Sequence, residues 1–123
     1  MKTKFAIIDY GMGNIRSVRN ALELMGASVS IAQCEDDLMS VDGLVLPGVG
    51  AFGKAISNLN ALDLVQPLLS AVKIEGKPLL GICLGMQLLA DSSEEDLGSK
   101  GLSLIPGMVQ KMQLPLGLRL PHI

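Results

Sequence analysis

The chain has 123 residues, 49% of them apolar and 2% aromatic, and a formal charge of −2. That composition suffices for one packed core, falls short of two domains, and excludes a disordered chain. With no basic stripe and almost no stacking rings a nucleic-acid surface is excluded, and no apolar run nears the roughly 20 residues of a membrane span.

The start, Met1-Lys2-Thr3-Lys4, is basic, but Asp9 cuts off the apolar run that a signal peptide would need. Residues 5–10 form a short apolar run ending in Gly11-Met12-Gly13, which predicts a strand buried on both faces of a parallel sheet. From Asn14 the period changes. Ile15, Val18, Ala21, Leu22 and Met25 recur at three and four, Arg16, Arg19 and Glu23 take the opposite face, and Gly26 supplies the stop. Residues 27–32 alternate as a second strand. Residues 43–46 make a third, closed by Pro47-Gly48-Val49-Gly50. A helical stretch covers 54–74, broken near Pro67. Residues 77–82 read as a fourth strand and 84–90 as the start of another helix. Ser92-Ser93-Glu94-Glu95-Asp96 reads as an exposed acidic loop, followed by two short strands over 102–106 and 108–112. The two cysteines, Cys34 and Cys83, make no disulfide framework, so a soluble, reduced, cytoplasmic chain is expected.

This alternation is the rhythm of an α/β fold with a parallel sheet flanked by helices, whose chemistry sits in loops beyond the carboxyl ends of the strands. The glycine turns at Gly11, Gly48 and Gly81 all fall at that end. The first opens like a dinucleotide fingerprint, but Arg16 stands where the last glycine is required, and 32–34 lack the acidic residue. A tight strand-to-helix turn explains it better.

Gly81-Ile82-Cys83-Leu84-Gly85 places a thiol between strand and helix, with glycine two positions before and two after. The serine version of this elbow is G-x-S-x-G, where the glycines remove clashes around a strained, exposed nucleophile. A helix N-terminus would favour the thiolate, and the N–H of Leu84 would donate to an oxyanion. Spacing alone leaves a second reading open, a small buried cysteine between packing glycines. An oxyanion hole needs another N–H from a neighbouring loop, and Pro47-Gly48-Val49-Gly50 can aim its backbone inward. Gln87 lies one helical turn after Cys83 on the same face. It reads either as a substrate contact or as an ordinary half-exposed glutamine.

Together, Asp9-Tyr10-Gly11-Met12-Gly13-Asn14, Pro47-Gly48-Val49-Gly50, Gly81-Ile82-Cys83-Leu84-Gly85-Met86-Gln87, Ile105-Pro106-Gly107 and Pro121-His122 resemble the class I glutamine amidotransferase family in order and spacing. Within it they resemble the glutaminase subunits of imidazole glycerol phosphate synthase. The resemblance covers the whole chain and implies that residues 1–123 are the N-terminal portion of a single flavodoxin-like amidotransferase domain. It implies Cys83 as nucleophile, backbone donors at Val49, Gly50 and Leu84 around the oxyanion, and Gly48, Gly50 and Gln87 around the glutamine. It also implies that Asn14, Arg16, Pro121 and His122 face a cyclase partner with a (β/α)8 barrel, in a heterodimer that takes up the ammonia. No metal and no cofactor are implied. The glycines of the oxyanion turn would allow a peptide to flip when the partner is loaded.

A cysteine nucleophile needs a base, which the family supplies from a His-Pro-Glu segment well downstream of the Pro-His. That segment does not occur here, and the one histidine is His122. The expectation is therefore a C-terminally truncated, inactive chain with sheet edges and part of an apolar face uncovered, inviting self-association. Two alternatives stay open: a paralogous amidotransferase subunit serving surface-sugar biosynthesis, and an interaction module without turnover.

Overall fold

The apolar runs that end at the glycine turns of Gly11, Gly48 and Gly81 become parallel strands. In a computed structural model describing residues 2–95, 99–113 and 115–117, the order is β1 (Lys4–Ile8), α1 (Ile15–Leu24), β2 (Ser28–Ala32), a 3-10 turn (Glu35–Leu38) and β3 (Gly43–Leu46). It continues with α2 (Phe52–Ala61), α3 (Val65–Lys73), β4 (Leu79–Gly81), α4 (Leu84–Gln87), β5 (Ser92–Ser93) and β6 (Met108–Val109). The four long strands form one parallel sheet in the order β2-β1-β3-β4. The chain leaves β1 towards β2 and β3 towards β4. Those neighbours at the centre therefore mark the switch point where open α/β sheets bind ligands.

Alternate residues face opposite sides of a strand. Ala6, Ile8, Leu44 and Leu46 join one buried cluster with Phe52, Ala55 and Leu59 of α2 and Leu68 and Ala71 of α3. Phe52 is completely buried, which contributes on the order of 2–3 kcal/mol. Ile7 and Val45, of the other parity, are also buried but lie outside that cluster.

The helix α1 starts where Asn14 Oδ1 accepts from the Ser17 N–H at 3.2 Å, an N-cap. None of its residues is buried. Ile15, Val18 and Leu22 are half-covered, whereas Leu24 is 90% and Met25 86% exposed. Leu80 on β4 is 55% exposed, so apolar surface does remain open on the sheet.

The 54–74 stretch is two helices, and the break lies before Pro67, not at it. Leu62 caps α2, and Asp63 takes φ +55°, a left-handed value that aspartate tolerates. Pro67 sits in the first turn of α3, where its missing N–H would have had no helical partner.

Two further readings are corrected. Ser92 and Ser93 are not exposed loop but a short strand, parallel to Met108 and Val109, with Ser93 buried. Residues 102–106 form no strand. The N–H groups of Leu102, Leu104 and Ile105 donate instead to the carbonyls of Leu88 and Leu89, closing the end of α4. Among the described residues no helix is long and apolar enough to cross a membrane.

Candidate functional site

Parallel pairing sets Leu46 beside Gly81, and the Ile82 N–H still donates to the Leu46 carbonyl at 3.0 Å. The ladder then stops, and the chain turns into α4 within one residue. That residue is Cys83, at φ +54° and ψ −120°. Few non-glycine residues adopt such a backbone, which stores roughly 1–3 kcal/mol of strain. The turn leaves the Cys83 side chain exposed at the carboxyl edge of the sheet.

The flanking glycines are there for space. A Cβ on Gly85 would run into the carbonyl of Leu46, and one on Gly81 would lie 2.7 Å from the Met86 Cα. Backbone cannot move aside as a flexible side chain can. The elbow at Cys83 is thus built by main chain pressing on main chain. The helix behind it is a single α-turn, and the Leu89 and Ala90 N–H groups tighten to carbonyls three residues back.

Pro47-Gly48-Val49-Gly50 passes directly over this elbow. The Leu84 N–H donates to the Gly48 carbonyl at 3.2 Å, and the Val49 N–H donates to the Met12 carbonyl at 2.6 Å. Of the three amides expected around an oxyanion, those of Val49 and Leu84 are therefore engaged. The Gly48 carbonyl and the Val49 N–H belong to one peptide group. Rotating that single peptide would release Leu84 and swing the Val49 N–H towards the elbow. Gly50, at φ +116°, gives the turn its freedom on one side, and its N–H has no protein partner among the described residues.

Gln87 is half-buried and lines a cleft of about 600 Å³ with Ser93, Glu94, Glu95, Val109 and Lys111. Cys83 is not in that lining. Two carboxylates near the cleft are held by backbone. Asp91 accepts from the Gly107 N–H at 3.0 Å, which with the Ser103 hydroxyl holds its carboxyl below the usual range. Glu95 accepts from the Phe52 N–H at 3.4 Å, setting a negative charge at the N-terminus of α2 just beyond the oxyanion turn.

Three residues of this neighbourhood escape a reading by pattern. Glu95 sits in an acidic run that looks solvated. Met12 holds the turn by its carbonyl while its side chain packs against the core cluster beside Gly50, and the one available sign is its glycine on either side. Tyr10 reads as the end of a buried strand, yet its hydroxyl donates to the Pro47 carbonyl at 2.6 Å. Of the residues assigned to a partner surface, Asn14 caps α1 and Arg16 is exposed two residues on. Pro121 and His122 lie outside the described residues. No group of three or more metal-ligating side chains occurs among the described residues.

Comparison with known proteins agrees with this geometry. Residues 6–116 match the family model for glutamine amidotransferase class-I. The chain is 50% identical over 118 residues to imidazole glycerol phosphate synthase subunit HisH of Bacillus thuringiensis subsp. konkukian, and 52% identical to that of Bacillus cytotoxicus. Each match covers 96% of this chain and 55% of the relative, so the chain spans about half the length of the curated relatives it matches. A crystal structure of a glutamine amidotransferase superposes with a TM-score of 0.73 at 20% identity, covering 85% of this chain and 55% of that one. At that identity the likeness concerns the fold alone.

Proposed function

The chain belongs to the class I glutamine amidotransferase family, and on that premise we propose that it carries the nucleophile and oxyanion turn of a glutaminase subunit of imidazole glycerol phosphate synthase. The observation that carries this reading is the strained Cys83 elbow lying under a peptide whose carbonyl takes the Leu84 N–H and whose own N–H is that of Val49. The relatives named as that synthase's subunit support the choice within the family.

In the proposed reaction the Cys83 thiolate attacks the side-chain carboxamide carbon of glutamine, and the carbonyl electrons move onto oxygen. The N–H groups of Val49, Gly50 and Leu84 stabilise that oxyanion once the Gly48–Val49 peptide has turned. As the tetrahedral intermediate collapses, the C–N bond breaks and the amide nitrogen, with one added proton, leaves as ammonia. A glutamyl thioester remains on Cys83, and water cleaves it to glutamate and free thiol. Gln87, Gly48 and Gly50 border the bound glutamine. The carboxylates of Glu94 and Glu95 give its α-ammonium a counter-charge across the cleft.

The ammonia passes to a cyclase partner with a (β/α)8 barrel, bound against the turn from Gly11 to Arg16 and the Pro121-His122 segment, in a cytoplasmic heterodimer. Engagement there acts on the oxyanion turn through Met12, whose carbonyl holds the Val49 N–H. Proton transfer belongs to a histidine oriented by a glutamate, and neither is supplied by the described residues. Complementation tests the reading. Spliced in place of the matching N-terminal part of the Bacillus cytotoxicus subunit, this chain restores growth without histidine to a strain lacking its own glutaminase subunit, and the Cys83→Ala version does not. Equal growth with Cys83→Ala would sink the proposal.

A further inference from the structure

We propose that Tyr10 is a positioning residue for the oxyanion turn: its buried hydroxyl fixes the Pro47 carbonyl as the pivot about which the Gly48–Val49 peptide rotates. The inference deepens the amidotransferase reading and rests on it.

Tyr10 lies two residues beyond β1 and is 3% exposed. Its hydroxyl donates to the Pro47 carbonyl at 2.6 Å, and its own carbonyl accepts from Asn58 Nδ2 of α2 at 3.0 Å. The phenol oxygen lies against Gly48 so closely that a Cβ there would run into it. Burial pushes the phenol up to about 12, so it remains a neutral donor throughout the physiological range.

Two residues further on, Met12 takes the Val49 N–H. Residues 10 and 12 therefore grip residues 47 and 49, but the two grips differ in kind. Tyr10 is a side chain locked into the core cluster. Met12 acts through backbone in a turn between two glycines, on an N–H whose residue, Val49, is 61% exposed. The first grip stays closed while the second opens. With the Pro47 carbonyl held, motion is confined to the one peptide that carries the Gly48 carbonyl and the Val49 N–H. Without it, the whole segment would shift and the donors would lose their aim at the elbow.

A tyrosine that merely filled the core could be replaced by phenylalanine at no loss to the turn, so the hydroxyl is what the test addresses. Amide hydrogen exchange, followed by NMR on the 123-residue chain, reads it without turnover. In Tyr10→Phe the Leu84 and Val49 amides exchange about tenfold faster, the loss of one buried hydrogen bond, while amides of β1 and β3 keep their rates. Unchanged exchange at Leu84 would overturn the proposal, as would a uniform rise through β1 and β3. Should Tyr10→Phe fail to fold, 3-fluorotyrosine can be incorporated at Tyr10, the only tyrosine in the chain. The fluorine makes the hydroxyl a stronger donor, so Leu84 exchange slows relative to wild type with β1 unchanged. No difference there also overturns the proposal. Complementation with Cys83→Ala decides the amidotransferase reading separately, so the two failures are distinguishable.

Discussion

The N–H of Leu84 donates to the carbonyl oxygen of Gly48 across 3.2 Å, so the amide that follows Cys83 is occupied by the neighbouring glycine turn. On the proposed reading, one peptide decides whether an oxyanion finds donors or meets a carbonyl. The fold would then hold Cys83 in place while its electrostatic assistance stays turned away.

Gly85 gives the sharpest test of the elbow. Helix propensity alone favours Gly85→Ala by about 1 kcal/mol. The added methyl would meet the Leu46 carbonyl, which is main chain and has nowhere to go. Gly85→Ala is expected to destabilise by about 3 kcal/mol or more, read as a lower urea midpoint at unchanged slope. A neutral or stabilised variant would mean that the elbow is looser than described.

Strain at Cys83 predicts a gain of stability when glycine replaces it. Cys83→Gly relieves the φ +54° backbone, and after the entropy that glycine adds to the unfolded chain the net gain is about 1 kcal/mol. Cys83→Ala keeps the strain and serves as the control. If glycine proves less stable than alanine at this position, the strain is not stored there.

Acid should weaken the fold through two carboxylates. The Gln33 N–H and the Cys34 thiol hold Asp37 below its ordinary 3.8, and the Gly107 N–H with Ser103 does the same for Asp91. A depressed folded value means stability that is complete above the unfolded value and lost as pH falls through the folded one. The urea midpoint should therefore fall from about pH 4 downwards, and Asp37→Asn should flatten that slope. A midpoint independent of pH in that window would remove both contributions.

The 123-residue chain is expected to release no steady glutamate from glutamine. It carries one histidine, His122, and no His-Pro-Glu segment to take and return the proton. Continuous glutamate release by the purified chain, abolished in Cys83→Ala, would show that a base is present after all.

Much of this was legible because strand and elbow signals are local. The β3 run from Gly43 to Leu46 is continuous, apolar and closed by a proline, and it folds as read. The glycines around Cys83 declared themselves by spacing. The helix break was misplaced because Pro67 is a conspicuous breaker, yet a proline in a first turn costs nothing, and the real break uses the unmarked Asp63. Ser92 and Ser93 pair with residues more than a dozen positions away, which no local period encodes. The orientation of the Gly48–Val49 peptide is not written in any side chain. Only the positions of Met12 and Leu84 reveal it.

Just beyond α4 the carbonyls of Leu88 and Leu89 are answered by Leu102, Leu104 and Ile105. The one-turn helix behind Cys83 is therefore fastened by a segment well downstream in the chain. A peptide that held the Gly81–Gly85 pattern without residues 102–105 would lack that clamp, so the elbow belongs to the tertiary structure and not to its own stretch of sequence.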